Sequence, residues 1–175
     1  MSTVTPTLTR PSRAAIYAAI FLAFIDNFAL LPVIGPRAQE LGGTPLLVGI
    51  AIAAYSLANL AFNPIGGILA DRIGRRRVVV VALVISPVAI AVYALADSLP
   101  LFLVARIVHG ASGGVLAAAL FALLGDAAPV GERGRTLGRA GALIGIAAVV
   151  GPASAALVSS ALGIDAVFLG VAALI

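Results

Sequence analysis

The sequence predicts an all-α membrane protein, a bundle of transmembrane helices. Three observations carry that prediction. Hydrophobic residues make up 62% of the 175 and charged residues only 10%, with a mean hydropathy of +1.17, far more apolar than a soluble domain of this size. The apolar residues fall in uninterrupted runs long enough to cross a bilayer. The few charges gather mostly between those runs, and all 11 basic residues are arginines.

Residues 1–13 read as a polar tail. Residues 14–175 read as the bundle, with five full spans at about 14–34, 46–70, 78–96, 100–124 and 137–161. Each span holds roughly 19–25 residues, enough to traverse a ~30 Å hydrocarbon core at ~1.5 Å per residue. A sixth begins at Ile164 and reaches only ~15 Å by Ile175. The expectation is therefore a truncated sixth helix, in a chain that is either a fragment of a longer protein or a natural truncation.

The first span is too long for the apolar core of a signal peptide. It carries Asp26 and lacks a small-residue cleavage site before a polar mature chain. In the second, Ser56, Asn59 and Asn63 lie within about 60° of one another at ~100° per residue. They either bond to neighbouring helices or line a pore. Ala51, Ala54, Ala58 and Ala61 form a stripe on roughly the opposite side, suited to a close helix contact. The third span, rich in valine and nearly free of polar groups, reads as lipid-facing, with Pro87 kinking it beside Ser86. The fourth places Arg106, Gly110, Gly113 and Ala117 on one face. The fifth carries Gly134, Gly138, Gly141 and Gly145, then Gly151-Pro152, a small-residue ridge followed by a bend.

Arginine placement orients the chain. Arg10 and Arg13 in the tail, Arg72, Arg75, Arg76 and Arg77 after the second span, and Arg133, Arg135 and Arg139 before the fifth all fall on one side. The opposite side has Arg37 alone. The expectation is a multi-pass protein of the cell (inner) membrane with a cytoplasmic N-terminus. A basic pI near 10.7 then reflects topology and lipid headgroups, and nucleic acid is not an expected partner. With no cysteine and a single histidine, no metal site or cofactor is expected. No nucleophile–base set or phosphate loop is present, so an enzyme is not expected either.

Two ionisable residues fall inside spans at nearly equal depth. Arg106 is ~9 Å and Asp26 ~12 Å from the side opposite the arginine-rich loops. An isolated charge there costs at least ~2.5–3.5 kcal/mol, so pairing or a hydrated cavity is expected. Two readings stand. Asp26 titrates as a proton or substrate site tuned by Arg106, or the two form a static ion pair. His109, one turn on, is either a second titrating group or a helix–helix hydrogen-bonding residue.

The charged hairpin Gly67-x-Leu69-Ala70-Asp71-Arg72-x-Gly74-Arg75-Arg76 resembles the loop between helices two and three of the major facilitator superfamily. Arg106-Ile-Val-His109-Gly110-Ala-Ser-Gly113-Gly114 resembles its helix-four arginine motif, with histidine where glutamine is usual. Gly151-Pro152-Ala-Ser-Ala155-Ala156 resembles the helix-five motif of the proton-coupled drug antiporters, with alanines in place of the trailing glycines. Asp26 with Pro32 and Pro36 is similar to the acidic first helix of those exporters, and Leu124-Gly125-Asp126 to the end of their fourth.

The resemblance implies the N-terminal six-helix half, built of three-plus-three inverted repeats, of a twelve-helix transporter. A faint echo of Asn63-Pro64 and Gly66-Gly67 in Gly151-Pro152 and Ala155-Ala156 fits such repeats. It also implies that Asp71 engages a helix N-terminus of the missing half. Arg75 would pair with Asp126 to latch the outward-open state, Gly67 and Gly74 would permit close approach and a tight turn, and Arg72, Arg76 and Arg77 would set topology and meet headgroups. The implied activity is proton-driven efflux of small amphipathic compounds by alternating access, with Asp26, Arg106, His109, Asn59 and Asn63 at the coupling and substrate site. The coupling agent is a proton gradient, and the partners are the bilayer, a small-molecule substrate, and the missing half or a second copy. A sugar or metabolite transporter of the same fold, and a non-transporting fragment or dimerising half, remain as alternatives.

Overall fold

The computed structural model describes residues 12–175; Arg10 lies outside them. Six helices follow in order: α1 (Arg13–Glu40), α2 (Pro45–Ile73), α3 (Arg75–Leu95), α4 (Leu99–Ala127), α5 (Arg133–Leu162) and α6 (Ile164–Leu174). The first five are long and apolar enough to cross a membrane, and no strand occurs among the described residues. The protein is an all-α, multi-pass membrane bundle.

The helices outrun the apolar segments at their charged ends. Apolar length stops at the first charge, whereas a helix continues into the interface, where water satisfies the terminal polar groups. The clearest case is the charged hairpin, which contains no loop. Asp71 and Arg72 are the last turn of α2, Arg75–Arg77 the first turn of α3, and Gly74 alone stands between them. Its φ of 95° is a conformation that glycine adopts without a Cβ penalty. Its N–H bonds the Ala70 carbonyl at 3.1 Å, and its own carbonyl starts the α3 ladder at Arg77 and Val78. At the other end of the bundle, α1 runs past Gly35-Pro36 to Glu40, six residues beyond the apolar reading. There Arg37 donates to the Ala94 and Ala96 carbonyls at 3.0 and 3.2 Å, a tertiary anchor that outweighs the local breakers.

Packing follows the small residues. α2 packs chiefly on α4 and α5 chiefly on α1. Exchanging helices 1, 2 and 3 with 4, 5 and 6 maps the first pairing onto the second, as an inverted repeat requires. At the α2–α4 crossing a Cβ on Gly110 would fall 2.3 Å from the Tyr55 carbonyl oxygen, one on Gly114 2.4 Å from that of Asn59, and one on Gly66 2.6 Å from the Val115 Cα. At the α1–α5 crossing a Cβ on Gly151 would fall 2.9 Å from the Ala29 nitrogen.

Three expectations about faces need correction. The buried side of α2 runs through Ala51, Ala54, Tyr55 and Ala58 to Gly66 and Ala70, and Ala61 is exposed. The 3.6-residue period carries the contact off the alanine stripe after two turns. α3 is only half lipid-facing. Val80, Val81, Val84 and Val88 are exposed, while Val78, Ala82, Ser86, Ile90 and Tyr93 are buried, because aliphatic composition does not distinguish lipid from a neighbouring helix. The ridge Gly134, Gly138, Gly141 and Gly145 packs against nothing within 4 Å.

Two apolar clusters fill the bundle. One, toward the arginine-rich end, joins Ile16, Ile20, Val78, Leu116, Leu120 and Leu124. The other, toward the opposite end, joins Leu30, Ile34, Ile90, Tyr93, Phe102 and Phe168. Between them along α1, α3 and α4 lies a buried polar layer of Asp26, Ser86, Arg106, His109 and Ser112.

Candidate functional site

The polar layer is built by close helix approach. Gly110 lies one turn after Arg106 on the same face of α4, and it brings α2 near enough for the guanidinium to reach α2 backbone. Arg106 donates from Nε to the Ala51 carbonyl at 2.9 Å and from Nη2 to the Ile52 carbonyl at 3.1 Å. Its Cζ lies 5.1 Å from the Tyr55 ring centroid and 5.8 Å from that of Tyr93. Carbonyl dipoles and two aromatic faces thus hold a cation that is 3% exposed.

The static Asp26–Arg106 ion pair, one of the two readings of these charges, is not formed: Arg106 bonds α2 carbonyls. The carboxylate of Asp26, 2% exposed, meets His109 instead, with Oδ2 3.4 Å from Nε2. The other ring nitrogen of His109, Nδ1, lies 2.9 Å from the Tyr93 hydroxyl. Asp26, His109 and Tyr93 therefore form a hydrogen-bonded line across α1, α4 and α3. Oδ1 of Asp26 is buried without a hydrogen-bond partner. Below this line Ser112 donates to the Ala82 carbonyl at 3.0 Å and pairs with Ser86 at 2.8 Å, which ties α4 to α3 in the turn that leads into Pro87.

Both buried charges are almost fully enclosed, Asp26 at 2% and Arg106 at 3% exposure. A cleft of about 420 Å³ lies beside them, lined by Phe24, Asn27, Tyr55, Ser56, Asn59 and Asn63 among others, and no lining residue carries a charge. Asn63 is fixed there by donating to the Gly114 carbonyl at 3.3 Å. Tyr55 joins the two regions. It lines the cleft and its ring stands edge-on to His109 at 4.9 Å between centroids. The structure brings Asn59 and Asn63 together in the cleft and Asp26 and His109 together behind it. Arg106 is turned toward α2.

At the arginine-rich end Arg75 forms an ion pair with Asp126, donates to the Ala122 carbonyl at 2.8 Å and reaches Asp71 at 3.4 Å. One side chain thus joins the ends of α2, α3 and α4. Asp71 and Asp126 are 71% and 64% exposed, so these pairs are well solvated. Arg72, Arg76 and Arg77 are exposed. A Cβ on Gly67 would meet nothing within 4 Å, so no close approach occurs at that position among the described residues. Gly151 packs on α1 as described, and Pro152 lies inside a continuous α5.

Sequence reasoning missed three side chains. Tyr55 and Tyr93 frame the buried charges. Their signal was scarcity: the chain has 3 tyrosines, and a buried phenol needs a partner for its hydroxyl. Arg37 is the third. At the end opposite the arginine-rich one it ties α1 to the α3 carbonyls, to Glu40 at 3.2 Å and to Asp165 of α6 at 3.6 Å. Its solitude on that side was the signal. No cluster of ligating side chains that could hold a metal ion occurs among the described residues.

Comparison with known proteins places this geometry. Residues 16–175 match the family model described as the Major Facilitator Superfamily. The chain is 26% identical over 137 residues to the quinolone resistance protein NorA of Staphylococcus aureus strain MRSA252, covering 78% of this chain and 35% of that protein. It is 31% identical over 148 residues to the inner membrane transport protein YajR of Escherichia coli K12, covering 84% of this chain and 32% of that protein. The chain spans about a third of the length of the curated relatives it matches.

Proposed function

The chain belongs to the major facilitator superfamily, and from that premise we propose that it forms one half of a secondary transporter that exports small amphipathic molecules in exchange for protons. The observation that carries the reading is the separation of roles behind and in front of Tyr55. A cleft of neutral polar and aromatic side chains suits an amphipathic cargo, while a buried carboxylate with one unpartnered oxygen suits a proton. Asp26 does not touch the cleft, so it acts on cargo through its charge state and not by contact.

Protonating Asp26 removes a negative charge from a layer that also holds Arg106 as a cation. A change of one charge in a poorly solvated layer favours whichever arrangement of the two halves solvates it better. The Arg75–Asp126–Asp71 junction at the arginine-rich end is the inner latch, and the arginine distribution sets that end in the cytoplasm of a cell-membrane protein. The surface that completes the site is the missing half or a second copy.

A quinolone is the first cargo to test, since NorA is named for resistance to that class. The assay is efflux from proteoliposomes holding the full-length protein under an imposed proton gradient. Quinolone export that collapses with the gradient and with Asp26→Asn supports the proposal. Export that survives both overturns it.

One observation favours a second cargo class. The carboxamides of Asn27, Asn59 and Asn63 with the Ser56 hydroxyl match the hydrogen-bonding edges of a hydroxylated metabolite or sugar. Competition of such compounds against quinolone efflux separates the two.

A further inference from the structure

We propose that His109 reverses its tautomer when Asp26 takes up a proton, and so carries the charge state of α1 across α4 to Tyr93 on α3. The inference rests on the reading of Asp26 as the proton-carrying group and adds the residue that couples it to the rest of the bundle.

The hydrogen-bond inventory dictates the two states. An ionised carboxylate only accepts, so facing Asp26 Oδ2 at 3.4 Å the imidazole must carry its proton on Nε2. A neutral ring then has a bare Nδ1, which accepts from the Tyr93 hydroxyl at 2.9 Å. When the pair gains one proton, the Nε2 proton passes to Oδ2 and the added proton resides on Nδ1. Asp26 becomes a neutral acid donating to Nε2, and Nδ1–H donates to the Tyr93 oxygen. One proton has entered, the ring is neutral before and after, and the Tyr93 hydroxyl has changed from donor to acceptor, its own hydrogen turning away from His109.

The surroundings favour this path over the alternatives. His109 is fully buried, and Arg106, one turn away on the same helix, already places a cation in the layer. An imidazolium facing an ionised Asp26 would keep two further ions in the layer with water excluded, where the neutral acid and neutral ring keep none. Oδ1 of Asp26 has no partner, so Oδ2 is the oxygen through which the carboxyl communicates with the ring. A proton on Oδ2 faces a ring nitrogen. The groups against His109 are Asp26 from α1, Tyr55 from α2 and Tyr93 from α3, and Arg106, one turn before it on α4, lies over the Tyr93 ring at 5.8 Å. The ionisable residues of α5 and α6 sit at the ends of those helices. Arg106 is satisfied by α2 carbonyls, which leaves His109 as the residue that bonds the Asp26 side chain directly.

This chain has a single histidine, and in the full-length protein the nitrogen-15 histidine signals lost on His109→Gln assign its ring. The experiment is nitrogen-15 NMR of the labelled full-length protein in lipid nanodiscs, from alkaline to acidic pH. The expected result is an Nε2–H ring at the alkaline end and an Nδ1–H ring at the acidic end, with the exchange abolished in Asp26→Asn. Tyr93→Phe is expected to move the Nδ1 resonance and leave Nε2 largely in place. Three results overturn the proposal: one tautomer throughout, a ring protonated on both nitrogens at the acidic end, or a reversal that persists in Asp26→Asn. The transport assay is separate. A fixed tautomer with Asp26→Asn still uncoupled defeats the relay alone. Export indifferent to Asp26→Asn defeats the coupling role even where the ring reverses.

Discussion

Replacing Gly110 by alanine puts a Cβ 2.3 Å from the Tyr55 carbonyl oxygen, 2.8 Å from its Cα and 2.9 Å from its carbonyl carbon. All three are backbone atoms, so no side chain can swing aside. Ordinary contact begins near 3.4 Å, and α2 and α4 must part locally by about 1.1 Å to restore it. The same movement draws Arg106 from the Ala51 and Ile52 carbonyls, now at 2.9 and 3.1 Å, beyond hydrogen-bond reach. Overpacking costs about 1–3 kcal/mol, and weakening charge-assisted bonds costs a further ~1.5–3 kcal/mol. The helix preference of alanine returns at most ~1 kcal/mol. The net destabilisation is about 1.5–5 kcal/mol, a fall on the order of 10 °C in melting temperature. Thermal unfolding of detergent-solubilised full-length protein measures it. Gly170→Ala is the control, since its Cβ would meet nothing within 4 Å. A Gly110→Ala variant that melts with the wild type, or a Gly170→Ala variant that falls as far, refutes the packing argument.

Other substitutions probe separate contacts. Gly74→Ala forces a Cβ into a φ of 95° and is expected to cost ~1–2 kcal/mol, read as a lowered melting temperature with α2 and α3 otherwise intact. Arg37→Ala removes two bonds to α3 carbonyls and is expected to lower stability by ~1.5–3 kcal/mol. Asp165→Asn removes only a pair in which Asp165 itself is 58% exposed and is expected to shift stability by less than ~1 kcal/mol. Ser86→Ala and Ser112→Ala each lose the shared 2.8 Å bond, so the double variant is expected to fall short of the sum of the singles, measured as a double-mutant cycle.

The sequence made the membrane architecture legible because every helix must close its own hydrogen bonds in lipid, and that demands long apolar runs. It made the charge inventory legible for the same reason: Asp26 and Arg106 stand out because a buried charge is costly. Partner choice was not legible. Asp26 and Arg106 share a depth, yet depth says nothing about rotation. Gly110 turns the arginine toward α2, and the imidazole of His109 fills the position facing α1. The charged hairpin was legible as a motif, but its helical continuity was not, since charges end an apolar run without ending a helix. The α5 glycines show the reverse limit. A small-residue ridge predicts close approach, and only the three-dimensional arrangement shows that no helix among the described residues supplies it.

The central claim is that a buried carboxylate behind Tyr55 handles the proton while the cleft in front handles the cargo. Comparing substrate counterflow, which needs no net proton movement, with gradient-driven accumulation in the same proteoliposomes tests that division most directly. The account predicts that Asp26→Asn keeps counterflow and loses accumulation, whereas Asn59→Ala loses both. Accumulation retained in Asp26→Asn would contradict it.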